Sequence, residues 1–264
     1  AIPQTRSSWN GIPCTLCPHR QCLCSQKREE RALSAESEQS LTSIDLLAEL
    51  APRERQAIEQ NCRWRRYDPH EQIIDRQSET SEVCFVVEGN VRVVNYSLSG
   101  REITLDDLDA GAYFGELAAL DGRPRSASVM ALTNTLIASL APSMFLDVLA
   151  KHPEIALKFM THLALVVRNA TDRIMDLSTL AANNRVQADL LRQARTNMSD
   201  DGKAVIKPIP VHADIASRVS TTRETVARVL SDLAREGIVH RTKDSLVIAD
   251  VDRLTYMVEL VSDE

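Results

Sequence analysis

The sequence predicts an α+β chain: a jelly-roll β-barrel, then one long helix, then a C-terminal winged helix-turn-helix. Three observations predict it. Short β-branched runs recur at roughly ten-residue intervals through residues 62–140. An apolar seam at helical spacing follows, with no Gly or Pro between Glu154 and Met198. Last comes "VHADIASRVSTTRETVARVLSDLAREGIV", two amphipathic segments joined by a polar turn.

The elements divide the chain into an arm and linker over 1–43, a β-domain over 44–150, a dimerisation helix over 151–182, a helix-turn-helix domain over 183–250 and an acidic tail over 251–264. Leu46, Leu47, Leu50 and Ile58 give 44–60 a helical spacing. The runs "EQIIDRQ", "EVCFVVEG", "NVRVVNYS", "REITLDDL" and "NTLIASL" then read as strands. Turn signals such as "DPHE", "EGN", "LSGR" and "DAG" separate them, the pattern of an antiparallel barrel or sandwich.

From Pro142 the period becomes helical. Ala156, Met160, Leu163, Val167, Ala170, Ile174, Leu177 and Ala181 alternate at +4 and +3, an a/d seam of more than three heptads. One helix lying on the β-domain would bury such a stripe. A repeat this long favours a partner helix, and a second copy of the chain is the natural partner. The expectation is a parallel helix-pair homodimer. In the last part, Ile215 and Val219 mark one short helix and Val226, Leu230 and Leu233 a second. Thr221 and Glu224 are placed as a capping box for the second helix. "HRTKDSLVIAD" reads as a two-stranded wing.

Composition bounds what such a chain does. The 264 residues are 44% apolar and 26% charged, an ordinary globular mix. No apolar run reaches the roughly 18 residues of a membrane helix. "AIPQTRSSWN" lacks the apolar segment of a signal peptide, so a cytoplasmic location without membrane contact is expected. The net charge of -6 hides an asymmetry. Residues 44–150 hold 10 Lys/Arg and 17 Asp/Glu, whereas 180–249 hold 11 and 8. The surplus of cations in the second part suits a polyanion. The six histidines (19, 70, 152, 162, 212 and 240) are scattered, with no His-x-His pair to seat a catalytic metal, and no enzyme is expected.

One stretch carries unusual chemistry, "GAYFGELAALDGRPRSASV" at 111–129. Gly115 lets a ligand approach the backbone. The first amides of a helix lack internal partners, so Leu117 and Ala118 offer N–H groups to an anion. Arg125 adds a planar cation suited to phosphate, and Ser126 a hydroxyl. Glu116 is a poor neighbour for phosphate and suits a sugar hydroxyl. A phosphate and a hydroxyl close together describe a nucleotide whose phosphate lies near its ribose. The plainer alternative is that Glu116 caps a helix and pairs with Arg125 on the surface.

"FGELAALDGRPRSASV" resembles the phosphate-binding cassette of cyclic-nucleotide-binding domains, and "TTRETVARVL" resembles the recognition helix of the same regulators. Residues 44–249 are thus similar as a whole to the cyclic AMP receptor protein/FNR superfamily of bacterial transcription regulators. The resemblance implies that Glu116 accepts from the ribose 2′-OH, that Arg125 neutralises the cyclic phosphate, and that Ser126 donates to it. The effector implied is cyclic AMP, with cyclic GMP the alternative. Aligning from "HPEI" places Ala170 and Thr171, with Asn169 adjacent, where the family's dimer helix meets the base, one contact coming from the partner subunit. Ser220, Thr221, Thr222, Arg223, Glu224 and Arg228 are the implied DNA-binding residues. Arg can bind guanine O6/N7 and Glu can accept from cytosine N4. Ser220 stands where the family usually has glycine, and a left-handed Ser220 would cost roughly 1 kcal/mol. The implied partners are a palindromic operator with half-sites like TGTGA, a second copy of the chain, and RNA polymerase.

"CTLCPHRQCLC" supports a second reading. Cys14, Cys17, Cys22 and Cys24 could give four thiolates to zinc or an iron–sulfur cluster. Oxygen sensors of the same superfamily carry an N-terminal cluster, with wider spacing and a fourth cysteine in the β-domain, where this chain has "NTLIASL". The alternative function is a redox, metal or iron–sulfur sensor. Cys62 and Cys84 are read as structural thiols.

Overall fold

The computed structural model describes residues 39–199 and 202–262, so the cysteines at 14, 17, 22 and 24 lie outside the described residues. Leu41–Glu264 cluster as one unit. Among the described residues no helix is long and apolar enough to cross a membrane.

The entry segment is a 3-10 turn at Asp45–Leu47 and a helix α1 at Pro52–Glu59, split where Pro52 sits in the first helical turn. Eight strands follow: β1 Arg63–Tyr67, β2 Gln72–Ile74, β3 Val83–Glu88, β4 Asn90–Tyr96, β5 Glu102–Asp109, β6 Tyr113–Phe114, β7 Ser128–Ala131 and β8 Thr135–Leu140. They pair antiparallel into two sheets, β1-β8-β3-β6 and β2-β7-β4-β5. The expected jelly roll is therefore present, built as two antiparallel sheets. β3 explains its uninterrupted apolar run, because both its faces are covered. Cys84 and Val86 join Val91, Val129 and Ile137 in a core drawn from both sheets. Val83, Phe85 and Val87 point the other way, into a second core with Leu46, Leu47, Leu50, Ile58, Phe145 and Phe159.

Helix α2, Glu116–Asp121, interrupts the strands between β6 and β7. Helix α3, Pro142–Lys151, leads into the long helix α4, Pro153–Thr179. The first turns of α4 are anchored by buried Ile155 and Phe159. Beyond them the seam is bare apart from Leu163, which packs on the second core: Met160, Val167 and Ile174 are 56%, 64% and 63% exposed. The predicted seam ran on to Ala181, but the helix ends at Thr179. Leu180 is extended (ψ 138°), and Ala181 caps the next helix, α5 at Ala182–Thr196.

The C-terminal module contains α5, β9 (Ala204–Ile206), α6 (His212–Arg218), α7 (Arg223–Arg235), β10 (Val239–Arg241), β11 (Leu246–Ile248) and α8 (Val251–Ser262). Val226, Val229, Leu230 and Leu233 recur at helical spacing on the buried side of α7. They pack with Ile215, Val219, Val186, Leu190 and Leu254 in a third core. The wing gains a strand beyond the predicted hairpin, in the order β10-β11-β9. The acidic tail expected over 251–264 is corrected too: it contains α8, and its Val251 and Leu254 are buried in this core.

Candidate effector pocket and DNA-reading face

The cassette is built around one left-handed residue. Gly115 caps α2 with φ 83°. A Cβ there would stand 2.5 Å from Nη1 of Arg125 and 3.0 Å from the carbonyl oxygen of Glu82. Only glycine allows both the backbone angle and the approach of the guanidinium. Below it lies Arg125, only 4% exposed. Its Nη1 donates to Gly115 O (2.9 Å), its Nη2 to Glu82 O (2.9 Å) and its Nε to Thr80 Oγ1 (3.2 Å). A carboxylate oxygen of Glu82 is 3.7 Å from Nη2. These contacts rule out the surface pairing of Arg125 with Glu116. The cation is desolvated and held under the first turn of α2, whose N–H groups have no partners within the helix. Burial lowers the Arg125 pKa, opposed by Cys84, Glu82 and Glu116. Burial also raises the Glu116 carboxyl above its usual value, opposed by a backbone hydrogen bond, His162 and Arg125.

Thr80, Glu82 and Asn95 were not singled out from the sequence, being 31 to 45 residues from the cassette they contact. Asn95 donates to Ser126 O (3.3 Å), and its own Oδ1 is buried without a partner. So is the hydroxyl of Tyr113, next to the cassette. Tyr113 packs on His162 of α4, the ring centroids 5.1 Å apart. A cavity of about 400 Å³ opens between the end of β5, Gly111, Tyr113, Lys158 and His162. Tyr113 and His162 line it; Glu116 and Arg125 do not.

On α4 it is therefore His162, read from the sequence only as one of six scattered histidines, that comes near the cassette. Asn169 and Thr171 are exposed. Asn169 follows His162 by seven residues and precedes Arg173 by four, which puts it on the face toward the β-domain. Arg173 occupies that face, donating to Leu105 O (3.0 Å) and Thr104 O (2.5 Å) of β5. Thr171 lies on the opposite side, between Val167 and Ile174 of the bare seam; its hydroxyl donates to Val167 O.

In the C-terminal module Arg223, Glu224 and Arg228 are exposed on the first turns of α7. Arg228 also reaches Asn183 Oδ1 (3.3 Å). The N-cap is Thr222, whose Oγ1 accepts from Thr225 N (3.2 Å), so the cap expected at Thr221 moves by one residue. Thr221 is buried and its carbonyl accepts from Arg101, which removes it from the exposed face. Ser220 is left-handed, with φ 53°. Of the other two cysteines, Cys84 is buried and its thiol pushed up to about 11 by burial; burial raises Cys62 to about 12. Both are poor thiolates.

Comparison with known proteins agrees with this geometry. Residues 64–152 match the cyclic nucleotide-binding domain family, and residues 184–257 match the Crp-like helix-turn-helix domain family. A protein of Thermus thermophilus named cyclic AMP receptor protein is 35% identical over 176 residues, covering 66% of this chain and 79% of its own. FixK2 of Bradyrhizobium japonicum superposes with a TM-score of 0.62 at 25% identity, over 74% of this chain and 96% of its own. A CooA variant of Carboxydothermus hydrogenoformans gives 0.67 at 23% identity, over 75% and 88%. The match to CooA concerns the fold alone.

Proposed function

Because the chain belongs to the cyclic AMP receptor protein/FNR family of transcription regulators, we propose that it binds a cyclic nucleotide and, as a homodimer in the cytoplasm, then binds a palindromic operator. The observation that carries this reading is the buried Arg125 held beneath the left-handed Gly115. The residues fit the ligand: Gly115 lets the backbone close on the Arg125 guanidinium, and the Tyr113 hydroxyl and Asn95 Oδ1 are buried polar atoms without a hydrogen-bond partner among the described residues. The nucleotide supplies a singly charged cyclic phosphate and a free 2′-hydroxyl. Leu117 and Ala118 N–H, Arg125 and Ser126 hold the phosphate, and Glu116 accepts from the hydroxyl. Cyclic AMP is the first candidate, since the Thermus relative carries that name; cyclic GMP is the second. Thr171, on the bare seam, reaches a base only across the dimer, whereas Asn169 serves its own pocket.

Binding re-registers the paired α4 helices and sets the two α7 helices one DNA turn, about 34 Å, apart. Arg223, Glu224 and Arg228 then read half-sites like TGTGA, with RNA polymerase as the further partner. Calorimetric titration of the full chain with cyclic AMP and with cyclic GMP tests the pocket. Titrating a duplex of two inverted TGTGA half-sites, with and without nucleotide, tests the switch. Arg125→Gln is expected to weaken nucleotide binding by about 2 kcal/mol, the scale of a hydrogen bond to a charged group. A chain that binds neither nucleotide, or binds DNA equally in both conditions, defeats the reading.

A further inference from the structure

β5 has two working sides, and a bulge creates them. Val93 pairs with Asp106 and Val94 with Thr104, which leaves Leu105 over. Side chains alternate along a strand, so residues 104 and 107 would normally face opposite ways; the extra residue turns both to one side. That side meets the helix-turn-helix. Thr104, fully buried, shares a hydrogen bond with Ser217 of α6 (2.6 Å). Asp107 accepts from Nε and Nη2 of Arg92, directly across on β4, at 2.6 and 2.9 Å. The third arm of the same guanidinium, Nη1, donates to Asp214 of α6 at 2.7 Å. Asp106 points the other way, among the charges of His162 and Arg173 on α4.

More contacts tie the module down. Arg218 of α6 donates to both oxygens of Asp189 (3.2 and 3.0 Å) and lies 3.8 Å from Asp107. Arg101 donates to the carbonyl of Thr221 in the turn (2.5 Å). Arg173 joins α4 to β5 and to the carbonyl of Arg218. The Arg92 side chain is 11% exposed. Burial alone would lower its pKa, but the hydrogen bonds it donates to Asp107 and Asp214 raise it instead. Throughout, Arg223, Glu224 and Arg228 remain exposed, so the docked module still presents its reading face.

We propose that Arg92 is a positioning residue for DNA binding: through Asp107 and Asp214 it clamps α6 to the outer side of β5, so that movement of β5 at the pocket turns α7. This rests on the cyclic-nucleotide reading above. A planar fork can hold two carboxylates in one fixed plane, which a point charge cannot.

The test uses the full chain. Asp214→Asn severs the module's side of the clamp and leaves the Arg92–Asp107 pair within the sheet; Asp214→Glu keeps the charge. The expected result for Asp214→Asn is nucleotide affinity within about twofold of wild type. Stimulation of operator binding, of the ~5–150-fold order usual for coupled sites, falls to about onefold. Asp214→Glu restores most of it. Hydrogen exchange without nucleotide gives a second reading: amides of 104–107 and 212–218 lose protection in Asp214→Asn while those of β3 keep theirs. Arg92→Gln serves if the first variant does not fold. A folded Asp214→Asn chain with wild-type stimulation and wild-type protection overturns the clamp and leaves the functional reading standing. A wild-type chain that binds neither nucleotide overturns the functional reading, and the coupling role falls with it.

Discussion

Glu116 shows how one residue ties the pocket to stability. Its burial raises its pKa in the folded state. Between the unfolded and folded values, the folded chain keeps a proton that the unfolded chain has released. Stability of the nucleotide-free protein from this group therefore rises as pH falls through the folded pKa, and levels off below the unfolded value. Glu116→Gln removes the titration. The expected outcome is a higher melting temperature than wild type at pH 7, with the two converging as pH drops toward the ordinary carboxylate range. Thermal melts of both proteins across that range check it. An equal pH slope in the two would mean that the burial penalty is not carried by Glu116. The sequence placed Gly115, Glu116 and Arg125 in one site because they lie in one short motif. It was silent on Thr80, Glu82 and Asn95, which reach the motif only through strand pairing and a neighbouring loop, and on His162, which reaches it by helix packing.

Among the elements, the turn between α6 and α7 carries a visible strain. Ser220 sits at φ 53°, where an L-residue costs about 1–2 kcal/mol and glycine pays only its extra chain entropy, about 0.5–1 kcal/mol. Ser220→Gly should stabilise the module by up to about 1 kcal/mol, measured by denaturant unfolding. A loss of stability would show that the serine side chain compensates the strain. The departure from the family's glycine was legible in the sequence, and so was the buried stripe of α7, because helical periodicity reports burial directly. The end of α4 was not. Nothing in "LSTLAANN" is a helix breaker, and the break at Leu180 comes where its side chain is buried and Arg185 donates to its carbonyl (2.8 Å). The bulge at Leu105 likewise has no residue signature in "REITLDD", since it answers to contacts on both sides of the strand.

For the whole molecule, the bare seam on α4 is the largest unsettled account. Met160, Val167 and Ile174, each more than half exposed, recur on the outer side of a 27-residue helix. A helix of that length with an exposed apolar stripe is expected to pair with a copy of itself. Val167→Glu would bring two carboxylates together at the centre of the pair. The predicted result is a shift from dimer to monomer in sedimentation velocity at micromolar concentration, with the secondary structure unchanged. A wild-type monomer, or a dimeric variant, would mean the seam has another use. The order of elements was legible because each part has its own pattern: β-branched runs between turn signals for the sheets, a heptad seam for the long helix, and two short helical stripes for the helix-turn-helix. What no period encodes is how α6 docks on β5, since that depends on single side chains, such as Arg92 and Asp214, that lie 122 residues apart.

The bulge at Leu105 frees the strand's outlook from its length. Pairing steps from Thr104 opposite Val94 to Asp106 opposite Val93, so Leu105 has no place in the alternation. Its loss would leave Thr104 and Asp107 two positions apart, still facing the same neighbour. Flattening the bulge with all four residues kept would instead turn the two to opposite faces. A lineage carrying this protein should therefore tolerate deletion of Leu105 more readily than any change that irons the bulge into regular pairing.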